Sequence, residues 1–435
     1  MKLRLLLLCL LSAFFPLAHA QSQEKLIIVN EGNWQHDNGR LSYFENGRIV
    51  SNEWFRKVNG YKIGDTPNDI IQINDNLIAI AINWSNIVQF ITPEGKAVAA
   101  TEDVPNNRKL CSDGKYLYIS SYGHECGTVN GLVTFEKGFV AKIDLNTFKV
   151  VKTIEVGWEP EGIALYKGHL FVANTGGYAF QEPHEYEHTV SVINAETMKL
   201  VREVDTNTIN LYGKMSQSGK YLCINSPGDY YDVMPASLIF NCEAALAGKP
   251  DKDCYVKLDY ASTYNCVNRE GEFFIIGSKF SYYTNEYEFN YATIDPDLAF
   301  RTGGSAGIRD ELPGTMLQDI KAMQQPYGIY VNPYTGYMYA TDACEFVSAA
   351  SLVQWDPKGK KVGTYKIYIN PAHFLALPPD GHFGAITDII ADPRPTDDAI
   401  YNLQGIRVTH PVEGRIYIRK GKKFIYRNNE SFIYK

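Results

Sequence analysis

Long apolar runs, helical periodicity, basic clusters and paired cysteine motifs are all scarce in this chain of 435 residues. Beyond the N-terminal segment no apolar stretch approaches the roughly 18 residues that span a bilayer as a helix, so membrane insertion is not expected. The KGKK near residue 420, preceded by Arg419, is the longest basic run, and the formal net charge is -7. Neither nucleic acid nor an anionic membrane surface is therefore an expected partner. Walker and dinucleotide motifs are absent, as is any CxxC or Cys/His cluster of the kind that holds zinc.

Paired cysteines are also lacking. With Cys9 set aside, Cys111, Cys126, Cys223, Cys242, Cys254, Cys266 and Cys344 make an odd number, so some thiols are expected to be simply buried. Cys111 and Cys266 occupy the same inner-strand place in the repeat described below. Cys242 and Cys254 flank the polar stretch AALAGKPDKD and are the expected disulfide, although spacing alone does not establish one.

What is present begins with an export signal. Lys2 and Arg4, an apolar run from Leu5 to Phe15 and the small-residue site Ala18-His19-Ala20 predict a signal peptide over residues 1–20. Cys9 reads as part of its apolar region and not as a lipid-attachment site, because few apolar residues precede it and Leu10 follows. The protein is expected in the periplasm, at the cell surface or outside the cell.

Residues 138–165 (GFVAKIDLNTFKVVKTIEVGWEPEGIAL) then hold one full period of a β-rich repeat, and LFVAN with HTVSVINAETMKLVREV carries its parts again over 170–204. A period of about 40–50 residues without helical signal is that of a β-propeller blade. Openings of the form Pro-x-x-apolar-x-apolar occur at Pro67, Pro160, Pro326 and Pro371, and degenerate ones at NRKLCSDG (107–114), LYGKMSQSG (211–219) and TYNCVNREG (263–271). These predict an all-β, seven-bladed propeller over residues 21–382. LIIVN, GRLSYF and GRIVSN lack an inner strand and PAHFLAL lacks outer ones, so the two chain ends are expected to complete one blade and remove an open sheet edge.

After residue 383 the repeat stops at DPRPTDD, a linker, and AIYNLQGIRVTHPVEGRIYIRKGKKFIYR predicts a small extension of about four short strands. Its IYNLQG and GRIYIRKGKKFI segments resemble a C-terminal extension of exported proteins of Gram-negative anaerobes and, loosely, the sorting domains of type IX secretion. A plain accessory β-unit is the alternative.

The loops between second and third strands, and those leading into each inner strand, should gather on one face around the channel. They are aromatic in a chain with 30 tyrosines. Trp34, Trp84, Tyr122, Trp158, Tyr178, Tyr230, Tyr231, Tyr282, Tyr283 and Tyr327 are the expected ligand-binding residues, since an exposed aromatic ring is costly unless it meets something. Interleaved Asn, Asp and Gln suit a large, neutral, amphipathic ligand. Packing of these rings against one another is the competing reading for any single residue.

The VANTG…HTVSVINAETMKLV and EVGWEPEGIAL segments resemble the YVTN-repeat, YncE-like propellers, and IVNEGNW…GRLSYF…NGYKIGDTPNDI looks like their exported branch, which includes the BtuG-type cobalamin-binding proteins. The resemblance covers about residues 26–380. It implies non-catalytic capture of a corrinoid, with its ring edges on the aromatics and its amides on Asn and Asp, and handover to a TonB-dependent transporter. The missing lipobox departs from that branch and weighs against surface anchoring.

Enzyme chemistry has two footholds. His184-Glu185-Tyr186-Glu187-His188 matches the HExxH zinc-protease string, but that chemistry needs a helix, and Pro183 with the β-rich HTVSVIN leaves no room for one. His36, His124 and His373, with Asp65, Asp69, Glu159 and Glu161 as oxygen ligands, fall near the channel mouth in the manner of propeller lactonases and lyases, without a recognisable arrangement. The expectation is a monomeric, non-catalytic ligand-binding propeller with no required cofactor and no metal. Cobalamin is its first ligand and a glycan its second; a lactonase or lyase and a protein-interaction scaffold are the alternatives.

Overall fold

The computed structural model describes residues 24–382, except 130, 181, 282–285 and 380, together with five short strands of the C-terminal stretch. The expected signal peptide, the DPRPTDD linker, Tyr282 and Tyr283 lie outside the described residues.

Seven four-stranded antiparallel sheets form the blades. Their innermost strands are Pro67–Asn74, Asn107–Ser112, Pro160–Tyr166, Tyr212–Ser218, Tyr264–Val267, Pro326–Val331 and Pro371–Ala376, which we number as blades 1 to 7. Every predicted opening thus starts an inner strand. Each inner strand packs on the next, and Pro371–Ala376 packs on Pro67–Asn74, so the ring is shut.

Blade 7 is the composite one: Pro371–Ala376 pairs antiparallel with Lys25–Asn30, which continues to Arg40–Glu45 and Arg48–Ser51. The LIIV run reads as continuously apolar because both faces of the sheet are covered. Ile27 and Val29 join blade 1 residues Ile78, Ile80 and Ile82, whereas Leu26 and Ile28 join Tyr339 and Leu352 of blade 6. That division is the two-residue alternation of a strand placed between two neighbours.

Helices are few and short, and sit in connections. Pro296–Thr302 follows the third strand of blade 5, where the Asp295 side chain accepts from Leu298 N, proline opens the first turn and Gly303 closes the helix in the left-handed region at φ 69°. Among the described residues no helix is long and apolar enough to cross a membrane. The loop at 121–131 departs from expectation, since Glu125–Val129 pairs with Leu132–Phe135 as an extra hairpin on blade 2. The tail forms a sheet of five short strands where about four were expected.

The expected Cys242–Cys254 disulfide is not formed. Both thiols are free and buried in one apolar cluster, and Cys254 Sγ faces the Lys249 and Pro250 carbonyl oxygens at 3.7 and 3.5 Å.

Blade closure makes a direct prediction. Ile28 is fully buried opposite Phe374 at the seam, so Ile28→Ala is expected to destabilise the protein by about 2–5 kcal/mol in chemical denaturation. An unchanged midpoint would contradict the closure.

Candidate functional site

The site is built by a backbone irregularity repeated around the ring. The residue before the inner strand is left-handed at Thr66 (φ 54°), Asn106 (42°), Glu159 (42°) and Asn370 (51°). In each case its carbonyl oxygen accepts from the first residue after the second strand of the same blade: Asn83, Tyr122, Thr175 and Glu31. A bulge then follows in the inner strand of blades 1, 2, 3, 4, 6 and 7. Bulges re-aim side chains. Here neighbouring residues, such as Arg108 and Lys109, both engage the channel.

Opposite charges meet there. Arg108 Nε and Nη2 donate to the two oxygens of Glu161 at 2.6 and 3.2 Å. Lys109 Nζ donates to Asn68 O at 2.8 Å and lies 3.6 Å from Glu161. Lys214 of blade 4 reaches across the ring to Asp69 of blade 1 at 2.7 Å, and Asp69 also accepts from Leu110 N. Tyr122 and Tyr327 donate their hydroxyls to Glu161 and Glu31, and His373 Nε2 lies 2.9 Å from Glu31. Three carboxylates, Glu31, Asp69 and Glu161, therefore face three cations, Arg108, Lys109 and Lys214.

Burial alone would raise all three carboxyls, but it is outweighed. Arg108 and Lys109 hold Glu161 below its ordinary range, Lys214 and Lys109 do so for Asp69, and the His373 and Tyr327 bonds do so for Glu31. Burial and the nearby Lys109 charge depress His373 despite Glu31, so its imidazole is neutral near pH 7.

Beside this cluster a cavity of about 380 Å³ runs along the inner strands of blades 4 to 7. Tyr212, Tyr264, Tyr327, Tyr330 and Phe374 give it an aromatic wall, and Lys214, Glu31 and His373 a polar end. Its volume is at the lower end of ligand pockets, roughly 300–1,000 Å³.

The expected aromatics divide into three groups. Trp34 is 58% exposed and meets Trp84 edge to face at 5.0 Å, while Tyr230 and Tyr231 are exposed, the latter by 82%. Tyr122 is only 2% exposed; its ring lies under the Arg108 guanidinium and against Tyr178 at 5.4 Å. Tyr327 packs between Tyr264 and Phe346. Trp158 stacks on His184 at 4.4 Å. Phe180 and Phe346 are also exposed; both stand in the loops read from the sequence, and the count of aromatics in those loops was the available signal.

Of the histidines, His36 is exposed, and His124 lies 3.4 Å from both Asp103 and Glu136 on the surface. Of the three histidines expected near the channel, His373 alone enters this cluster. The HExxH segment is non-helical; His188 pairs with Asp205 at 2.9 Å, whereas His184 joins Glu159 and Glu182, with ligand atoms within 4.8 Å of one another. Burial pushes the Glu159 carboxyl up to about 8, with Glu182 and Glu187 adding to the rise.

No protein-family model matches this chain, and no curated protein matches it. Solved structures do. A hydrazine synthase of Kuenenia stuttgartiensis is similar with a TM-score of 0.53 at 14% identity, over 72% of this chain and 93% of that one. A functionally unknown protein from Desulfotomaculum acetoxidans gives 0.51 at 14% identity, over 82% and 99%. A quinonprotein alcohol dehydrogenase-like protein from Bacteroides thetaiotaomicron gives 0.52 at 11% identity, over 82% and 79%. The likeness is one of fold. The chain is a seven-bladed β-propeller, and its neighbours include a named enzyme and a protein of unknown function.

The channel charges predict an acid-sensitive fold. Glu31, Asp69 and Glu161 stabilise it above about pH 4, and this is lost as pH falls through their lower folded values. The unfolded chain protonates His373 near pH 6.5, before the folded chain does, which costs stability below about 6.5. Glu159, raised to about 8 by burial, works the other way and adds stability as pH falls from about 8 towards 4. The His373 contribution is therefore read by comparison: the denaturation midpoint of the unaltered chain should decline relative to that of His373→Gln as pH falls from about 7 to 5, and both should fall below about pH 4. Parallel profiles for the two proteins between about pH 7 and 5 would contradict the neutral, buried imidazole.

Proposed function

We propose that this protein is an exported, non-catalytic propeller of the YVTN-repeat, YncE-like kind that captures a neutral amphipathic ligand over its channel mouth, with a corrinoid as the first ligand to test. The observation that carries the reading is the pairing of exposed loop aromatics, Trp34, Tyr230 and Tyr231 with Phe180 and Phe346, with channel charges that cancel. Aromatic rings supply contact area at low entropic cost. A compensated channel exerts no strong net field, so it favours neither an anion nor a cation.

The cavity bounds the mode of binding. At about 380 Å³ it takes a side group or a small molecule, so a corrin macrocycle would lie across the mouth with its periphery on the rim. Handover to a TonB-dependent transporter and export through the N-terminal segment belong to the same proposal.

One observation favours a second reading. His373 is neutral, hydrogen-bonded to Glu31 and part of the cavity wall, which is the disposition of a general acid or base. Turnover of a lactone that disappears in His373→Gln would support that reading over capture.

Full-length protein mixed with cyanocobalamin and desalted is expected to remain pink, and Trp34→Ala and Tyr231→Ala each to weaken binding about tenfold, the size of an anchoring aromatic contact. A colourless product without spectral change would remove the corrinoid. Retention on a glycan affinity gel in its place would assign the rim to sugar stacking.

A further inference from the structure

Blade 3 carries a long insertion between its second and third strands, and the insertion folds back on the turn that leads into the blade. Glu182 and His184 of the insertion meet Glu159 of the turn. His184 Nε2 is 3.4 Å from Glu159 Oε2 and 3.8 Å from Glu182 Oε2, and the two side chains of the closer pair are 7% and 0% exposed. A tetrahedral ion with bonds of about 2.1 Å holds its donors about 3.4 Å apart.

The unpartnered buried atoms are the second observation. His184 Nδ1 lies 3.1 Å from the Glu185 carbonyl oxygen, a contact that an Nδ1–H makes as donor. With Nδ1 as the donor, Nε2 is the ring nitrogen left to meet a metal ion beside the two carboxylates. Among the described residues neither His184 Nε2 nor Glu159 Oε1 has a hydrogen-bond partner, although both atoms are buried. Buried polar atoms left without a partner are unfavourable, and an ion bound by Nε2 and the two carboxylates would satisfy them.

We propose that Glu159, Glu182 and His184 form a binding site for a divalent transition metal of the zinc class. The imidazole nitrogen sets it apart from calcium and magnesium sites, which are built from oxygen. The supporting contacts have the form that metal ligands need. Tyr178 N donates to Glu159 Oε2 and Phe135 N to Glu182 Oε1, each at 3.2 Å, the Glu185 carbonyl fixes the His184 tautomer, and the Trp158 ring lies 11° from parallel to the imidazole. Three protein ligands leave a fourth position for water or a bound molecule. The site uses the first histidine of the HExxH string and not the second, since His188 is engaged by Asp205.

Metal-free full-length protein titrated with cobalt(II), followed by its visible absorption and then by zinc competition, tests this independently of any ligand at the channel mouth. One equivalent is expected to bind. Glu159→Gln and Glu182→Gln, which keep side-chain volume, should each weaken zinc by more than the roughly 100-fold that loss of a supporting contact costs, while His188→Ala should bind as the unaltered chain does. Circular dichroism confirms that the variants fold. No saturable uptake, uptake unchanged in Glu159→Gln, or uptake abolished by His188→Ala would each overturn the proposal. So would a histidine NMR titration showing His184 as an imidazolium indifferent to zinc.

Discussion

Compensation of charge across the channel is the constraint on which the rest of this molecule depends. Asp69 is fully buried at the start of one inner strand, and the ammonium that neutralises it comes from Lys214, on a strand three blades away. Glu161 is satisfied by Arg108, Lys109 and Tyr122, all from the preceding blade. A buried charge without its partner destabilises strongly, so the inner strands tolerate these residues only in a closed ring of the correct blade number. Closure in turn rests on the seam between Lys25–Asn30 and Pro371–Ala376. The seam also delivers Glu31 and His373 to the same cluster, so apolar closure and polar compensation are one arrangement.

The repeated left-handed turn and bulge explain how a uniform scaffold gives a non-uniform site. The slot just after the second strand holds Asn83, Tyr122, Thr175 and Glu31 in blades 1, 2, 3 and 7. The backbone geometry is shared while the side chain varies, and function is written in the variation. Blade 3 shows the effect over three residues. Glu161, inside the strand, turns to the channel guanidinium, whereas Glu159, in the left-handed position before Pro160, turns to the insertion and His184.

Most of the ring was legible in the sequence, because its signals are local. Pro67, Pro160, Pro326 and Pro371 each open an inner strand, and LIIVN with PAHFLAL announces a blade split between chain ends. What was hidden depends on contacts between distant residues. Tyr122 reads as a rim aromatic until Glu161, 39 residues on, takes its hydroxyl, and Tyr327 does so until Glu31, 296 residues away, takes its own. The Pro296–Thr302 helix had its cap, proline and closing glycine in view, but it is too short for helical periodicity to register. Cys242 and Cys254 flank a loop at disulfide-like spacing, yet both contribute to an apolar cluster as thiols. Glu159 and Glu161 look like a pair in sequence, and only the backbone turn between them separates their roles.

A double-mutant cycle on Asp69→Asn and Lys214→Met, read by equilibrium denaturation, tests the central claim most directly. Lys214 is partly solvated, so the coupling is expected at about 1–2 kcal/mol, within the range for residues in direct contact. The double variant should be more stable than the sum of the two single losses predicts. Strict additivity would contradict the claim that opposite charges from facing blades hold the channel together.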